Sequence, residues 1–322
     1  MSAIPISVTL FQPSVAAYLG VIQQAEALGV PQIWLPSAPA GIDPLPILAA
    51  AAVQTQRIGL GTAILPTYPR HPLALGGEAQ ALAALAPGRF RLGIGSSHPF
   101  IMEQMYGLSF GKPVAHLREY VTVLRSFLAT GAVDFQGTYF QVHSRPMPGM
   151  AAEPQPIPIL ISALRAPMFR LAGEVADGAL AAWCPVPYLV ETALPAMQAA
   201  AQAANRPTPP LIGNVPVAFH QDQAAVRAMG RQALGMYLAS APAYGRMFAA
   251  AGYSIPAGGP VPDALLDDLF VAGDAAQIKT RLRAIHRAGV DELMITIHPV
   301  ADPMAEALAI LQLVAELAHE AD

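Results

Sequence analysis

Strand-like and helix-like segments alternate along this chain from end to end, and few folds accept that rhythm. Apolar runs of about four to eight residues read as buried strands, and longer stretches with 3.6-residue periodicity read as helices. Strands are expected at Ile4–Phe11, Gln32–Leu35, Ile58–Ile64, Phe90–Ile94, Ile157–Ile161, Ala179–Trp183, Leu211–Phe219 and Glu292–Ile297. Helices are expected at Val15–Leu28, Leu45–Gln54, Leu73–Leu85, Val114–Leu128, Pro167–Ala176, Val190–Ala204, Gln223–Ala251, Gln277–Ala288 and Met304–Ala318. Eight strand–helix units suit an α/β fold of the (β/α)8 TIM barrel type, for which about 250 residues plus insertions is usual. A doubly wound open sheet shares the alternation. The count of eight favours the barrel, as does Phe11-Gln12-Pro13-Ser14 where an open-sheet dinucleotide fold carries its glycine motif.

One domain is expected over residues 1–322, with two insertions. Gly131–Met150 alternates Val133, Phe135, Tyr139 and Val142 around Gln136-Gly137, the pattern of a β-hairpin. The second insertion, near 223–268, joins a long helical region to the Gly- and Pro-rich stretch Tyr253–Asp268, which reads as a mobile lid or surface loop.

Composition narrows the function. The chain is 54% hydrophobic and 12% charged, which favours a large two-sided core over disorder. A net charge of −4 without any basic run argues against nucleic acid as a partner. No apolar stretch reaches the ~18 residues that span a bilayer. The start, MSAIPISVTLF, lacks the basic region and cleavage site of a signal peptide, so a soluble cytoplasmic protein is expected. The single cysteine, Cys184, excludes an internal disulfide and a cysteine zinc cluster, and reads as a small buried hydrophobe.

Barrel active sites are built at the C-terminal ends of the strands. Those ends are Pro36-Ser37, Thr62–Pro66, Gly95–His98, Ser162–Arg165, Trp183-Cys184, Phe219-His220 and His298-Pro299. They hold no paired acids for glycosidase chemistry, no metal-ligand motif and no esterase elbow. What remains is backbone, small hydroxyls, apolar groups and a few histidines, which suits a bulky cofactor that brings its own chemistry. In Arg89–Pro99, RFRLGIGSSHP, an apolar strand feeds a loop of small residues where backbone N–H groups approach a ligand closely. His98 stands beside it as a group that titrates near neutral pH. Ser162-Ala163-Leu164-Arg165 opens a helix whose free N–H groups suit a phosphate.

Other residues carry plainer readings. His298 and His220, at the ends of the last and seventh strands, could line the mouth but read more simply as loop positions, and His71 reads as a brace for a helix start. Met102, Met105 and Tyr106 read as pocket wall, and Trp183 as core. Arg118, Glu119 and Arg125 read as a solvated or dimer face of the fourth helix.

Seven segments in chain order resemble the luciferase-like flavin monooxygenase superfamily, and within it the branch that uses the deazaflavin coenzyme F420. They are Glu26–Pro36, Arg57–Pro72, Gly88–Pro99, Met105–Phe110, His116–Leu128, Pro156–Leu164 and Arg170–Leu180. The resemblance implies an F420-dependent oxidoreductase moving hydride between the deazaflavin and a small organic substrate, in a homodimer. FMN is the alternative cofactor, with monooxygenase activity, and a non-catalytic deazaflavin-binding protein is the other alternative. It implies a third-strand bulge with a cis peptide at Ala63–Ile64 against the ring, and Ser96, Ser97 and His98 along the ring and its chain. It implies phosphate contacts from Ser162, Ala163 and Leu164, and places Ser37 beside the cofactor. Relatives carry an acid–histidine pair where this chain has Ser37-Ala38, and some a glutamate at His98. The proton role therefore falls to His98 as the candidate catalytic residue.

Overall fold

Every strand expected above is extended in the computed structural model, which describes residues 3–146, 155–256 and 259–320. The strands are β1 (Ile6–Thr9), β2 (Gln32–Leu35), β3 (Gly59–Thr62), β4 (Phe90–Gly95), β5 (Ile159–Ser162), β6 (Gly178–Ala181), β7 (Leu211–Ala218) and β8 (Glu292–Ile297). Each pairs in parallel with the next, and β8 pairs back onto β1 (Ile6 beside Leu293, Thr9 beside Thr296), which closes an eight-stranded barrel. The helices are α1 (Val15–Leu28), α2 (Pro44–Gln54), α3 (Pro72–Leu85), α4 (Pro113–Thr130), α5 (Ala166–Val175), α6 (Leu194–Ala203), α7 (Gln223–Ser240), α8 (Pro242–Ala250), α9 (Asp263–Leu269), α10 (Ala275–Arg287) and α11 (Pro303–His319). Ser14, Asp43, His71, Asp222, Asp274 and Asp302 each accept a first-turn backbone N–H, which fixes where their helices begin. His71 is thus the helix brace that its place before Pro72 suggests.

The period-2 alternation of each strand divides the core into two layers. Val8, Ile33, Leu35, Leu92, Ile94, Ile161 and Ile295 pack outward in the large cluster shared with the helices. Trp34, Leu160, Leu180, Ile212 and Met294 pack inward as a separate cluster in the barrel interior. Two Gly-x-Gly runs on neighbouring strands make that interior possible. A Cβ on Gly61 would lie 2.4 Å from the Trp34 ring, and one on Gly93 would lie 2.0 Å from the Thr62 carbonyl oxygen. Gly93-Ile94-Gly95 is a packing device of the barrel wall.

The N-terminal end of the barrel is closed by charge. Arg91 donates to Glu292 at 2.8 Å and lies 4.7 Å over the Trp34 ring, and the Ser7 hydroxyl donates to the other Glu292 oxygen at 2.8 Å.

Four expectations change. The third strand ends at Thr62 rather than at Ile64, for the reason given with the site. The region Gln223–Ala251 is two helices, because Pro242 has no N–H to continue the ladder past Ala241. Of the stretch Tyr253–Asp268, the described residues before Asp263 are loop as expected, and residues 257–258 lie outside the described residues; its end enters α9, whose Leu265, Leu266 and Leu269 are buried and whose short apolar pattern the Gly- and Pro-rich flank hid. Arg118 and Arg125 are exposed, as a solvated face requires, but with the half-buried Glu119 they also brace other elements. Arg118 pairs with Glu174, and Arg125 donates to Asp177 at 2.9 Å and the Val175 carbonyl at 3.0 Å. Glu119 accepts the N–H groups of Thr138, Tyr139 and Phe140 at 2.9, 2.7 and 3.1 Å. It thereby clasps the turn between the antiparallel strands Val133–Gln136 and Gln141–Ser144. An amphipathic pattern reveals a polar face but not its dock. Residues 147–150 of the Gly131–Met150 stretch lie outside the described residues. Among the described residues, no helix is long and apolar enough to cross a membrane.

Candidate active site

The β3–β4 ladder slips by one residue at the C-terminal end of the barrel. Gly61 pairs with Arg91, but Leu65 pairs with Ile94, so Thr62, Ala63 and Ile64 face only Leu92 and Gly93. The extra residue forms a bulge, and the Ala63–Ile64 peptide within it is cis. The Thr62 side chain closes the interrupted ladder: its hydroxyl donates to the Gly93 carbonyl at 2.8 Å and accepts the Gly93 N–H at 2.9 Å. From the other side, the Ala63 N–H donates to the Leu35 carbonyl at 3.0 Å and the Ser37 N–H to the Ile64 carbonyl at 3.3 Å. Ser37, Ala63 and Ile64 therefore form one construction at the ends of β2 and β3.

Gly95 joins it to the next strands. A Cβ there would lie 2.1 Å from Ser162 Oγ and 3.2 Å from Ile64 Cδ1, so Ile64, Gly95 and Ser162 meet around one small-residue cradle. Ser96 is buried, Ser97 is half-buried, and Ser97 lies in the left-handed region at φ +59°. Trp183, at the end of β6, does so at φ +57°. Such conformations in non-glycine residues gather at functional sites. Of the residues implied for phosphate, Ala163 is buried and its N–H is engaged by the Leu180 carbonyl at 2.8 Å. Ser162 and Leu164 are half-buried, and the Leu164 carbonyl accepts from Tyr188 at 3.2 Å.

His98 is half-buried, and desolvation holds its pKa below the ordinary histidine value, which keeps the ring neutral at neutral pH. Its ring centre lies 5.7 Å from that of Tyr244 on α8. From there, rings continue through Tyr237, Trp183 and His298, neighbouring centres being 5.6, 5.3 and 5.5 Å apart. The insertion helices thus lay aromatic side chains between His98 and His298. Tyr237 and Tyr244 went unnoticed in the sequence, where only the seven-residue spacing on a helical stretch marked them. His298 is more than a loop position: burial lowers its pKa to about 4, and its Nε2 is buried with no partner in the protein. Thr9 Oγ1 and Trp34 Nε1 are likewise buried without partners. Trp183 is buried as expected, and His220 turns back to accept the Asp222 N–H at 3.2 Å. Cys184 is a buried thiol whose pKa burial pushes up.

A cavity of about 560 Å3 adjoins the bulge, lined by Ser37, Pro39, Pro66, Arg70, Met105, Tyr106 and their neighbours. Met105 and Tyr106 are pocket wall, as their positions suggested, whereas Met102 is fully buried core.

Residues 4–292 match the luciferase-like monooxygenase family. A Mycobacterium tuberculosis protein, provisionally named a coenzyme F420-dependent oxidoreductase, is 27% identical over 294 residues, 80% of this chain and 84% of that one. An F420-dependent glucose-6-phosphate dehydrogenase of Nakamurella multipartita is 32% identical over 167 residues, 50% of this chain; the match spans about half the length of that relative, 48%. Among solved structures, an F420-dependent secondary alcohol dehydrogenase bound to an F420-acetone adduct aligns over 99% of this chain and 100% of its own, with TM-score 0.80 at 16% identity. An FMN-bound Baeyer-Villiger monooxygenase component from Pseudomonas putida aligns over 98% of each chain, with TM-score 0.74 at 17% identity. At these identities the two structures speak for the fold.

Proposed function

The chain belongs to the luciferase-like monooxygenase family, and from that premise we propose that it is an oxidoreductase using coenzyme F420 to exchange hydride with a small organic substrate. The bulge at the barrel mouth, with the cavity of about 560 Å3 beside it, carries the reading. Gly95 has no side chain, so Ser162 Oγ and Ile64 pack directly over it and draw the ends of three strands together behind that cavity. The orphaned polar atoms of Thr9 and His298, at the same end of the barrel, fit a ligand that completes their hydrogen bonds. Both observations suit a large heteroaromatic cofactor.

In this reading Ala63 and Ile64 support one face of the ring, and Ser37 borders it. Ser96 and Ser97 offer hydroxyl and backbone contacts to the ring and its polar chain. Ser162 and Leu164 stand at the phosphate, before the N-terminus of α5, with Ala163 packing behind them. When bound, the coenzyme supplies a carbon centre that carries hydride, since deazaflavin has carbon where flavin has N5. The protein's own part is to hold the ring and the substrate in register and to exclude water. His98 manages the proton at its imidazole: the neutral ring takes one from an alcohol, and in the reverse direction the imidazolium, protonated from solvent, gives one to a carbonyl oxygen.

Titration of the cofactor-free protein with F420 and with FMN, followed by fluorescence and absorbance, tests the reading. Tighter binding of F420 is expected. Tighter binding of FMN overturns it in favour of an FMN-dependent monooxygenase. F420 binding without turnover on any of a panel of alcohols, enones and imines would make the protein a deazaflavin-binding protein without catalysis.

A further inference from the structure

The cavity beside the bulge holds information about the second reactant. Its wall carries one positive side chain, Arg70, and that charge is already engaged. Arg70 pairs with Asp43, also in the wall, and with Glu78 at 3.0 Å. Two carboxylates on one guanidinium leave the neighbourhood net negative, and among the described residues lining the cavity no unpaired cation is left for an anion to meet. The rest of the lining consists of small or apolar side chains, Ala38, Pro39, Pro66, Pro69 and Met105 among them, with Ser37 and Tyr106 as neutral residues that can hydrogen-bond.

The rim repeats the theme. Phe11 follows β1, Ile42 follows β2 and Phe100 follows β4, and they are exposed at 56%, 44% and 51% on the same end of the barrel as the cavity. Burying an ionised group beside apolar walls without a partner is costly, whereas an apolar body gains from the same walls.

We propose that this cavity seats the second reactant, and that this reactant is a neutral, largely apolar molecule without phosphate or carboxylate. Met105 and Tyr106 set its shape preference, and the Asp43–Arg70–Glu78 cluster rejects anions. The inference rests on reading the barrel mouth as the cofactor site, because the cavity adjoins that site through Ser37, whose N–H is bonded to the Ile64 carbonyl.

The test is calorimetric titration of the F420-loaded protein with 2-octanone, octanoate and glucose 6-phosphate. The ketone is expected to bind at least about tenfold more tightly than octanoate of equal chain length, and glucose 6-phosphate more weakly still. Tyr106→Ala should weaken ketone binding about fivefold. In Asp43→Asn/Glu78→Gln, asparagine keeps the helix cap and Arg70 is freed, so octanoate should gain on the ketone. Preference of the wild-type protein for octanoate or glucose 6-phosphate overturns the proposal, as does absence of ketone binding. Circular dichroism checks that the variants fold, and the wild-type comparison decides without them. The same ligand series on cofactor-free protein separates the two claims. Ketone selectivity without any F420 affinity supports the selectivity of the cavity and overturns the cofactor reading. F420 binding with octanoate preferred overturns this proposal alone.

Discussion

The two ends of the barrel interior treat polar groups in opposite ways. At the N-terminal end, the charged and hydroxyl groups of Arg91, Glu292 and Ser7 satisfy one another, with Arg91 resting on the Trp34 ring, whose Nε1 alone is left without a partner. At the C-terminal end, Thr9 Oγ1 and His298 Nε2 are buried without partners, and burial lowers the pKa of both His98 and His298. A buried polar group in a finished structure is normally bonded. The closed network therefore marks the end that holds the barrel shut, and the open one lies at the end where the cofactor is proposed to bind.

If the contrast is right, damage at the two ends must separate stability from function. Glu292→Ala should have the largest effect, about 3 kcal/mol of lost stability in urea unfolding, because it strands the Arg91 charge. F420 affinity should stay within about twofold, and a larger loss would break the division between the ends. His98→Ala should lower turnover about a hundredfold with F420 affinity nearly unchanged, as expected for a proton-handling group. Equal loss of binding and turnover would make His98 part of the cradle instead. Thr62→Val removes both bonds to Gly93 and leaves a buried N–H and carbonyl unpaired. A cost of about 2 kcal/mol, with weaker F420 binding, is expected.

The smallest effect concerns acid. The folded protein keeps His298 neutral down to about 4, while an unfolded histidine titrates at 6.5. Between those values the unfolded chain binds more protons, so this stabilisation is fully present above 6.5 and is lost as pH falls towards 4. His298→Phe should therefore shrink the drop in Tm between about pH 7.5 and about pH 5 by about 2 °C. An unchanged drop would place the acid sensitivity elsewhere, for example at His116, which burial also lowers to about 4.

Much of the fold was legible because it rests on local patterns. Apolar runs and capping residues such as Ser14, Asp43 and Asp274 mark strands and helix starts within a few positions of each other. The bulge was legible only through resemblance, since Gly-Thr-Ala-Ile has no periodicity that announces an extra residue. The role of Thr62 depends on Gly93, thirty-one positions away, and was invisible. So was the helix Asp263–Leu269, too short for its apolar spacing to stand out among glycines and prolines.

The sequence by itself determined the eight-fold alternation, the small residues at the strand ends and the position of His98, because these follow from side-chain size and period along the chain. Only the tertiary structure decided what those residues meet. Closing β8 onto β1 set the Arg91–Glu292 pair in one end of the barrel. Folding α7 and α8 back over the other end brought Tyr244 to His98. Ring closure joins residues remote in sequence, and partnership across such distances, rather than residue type, separates the braced end from the open one.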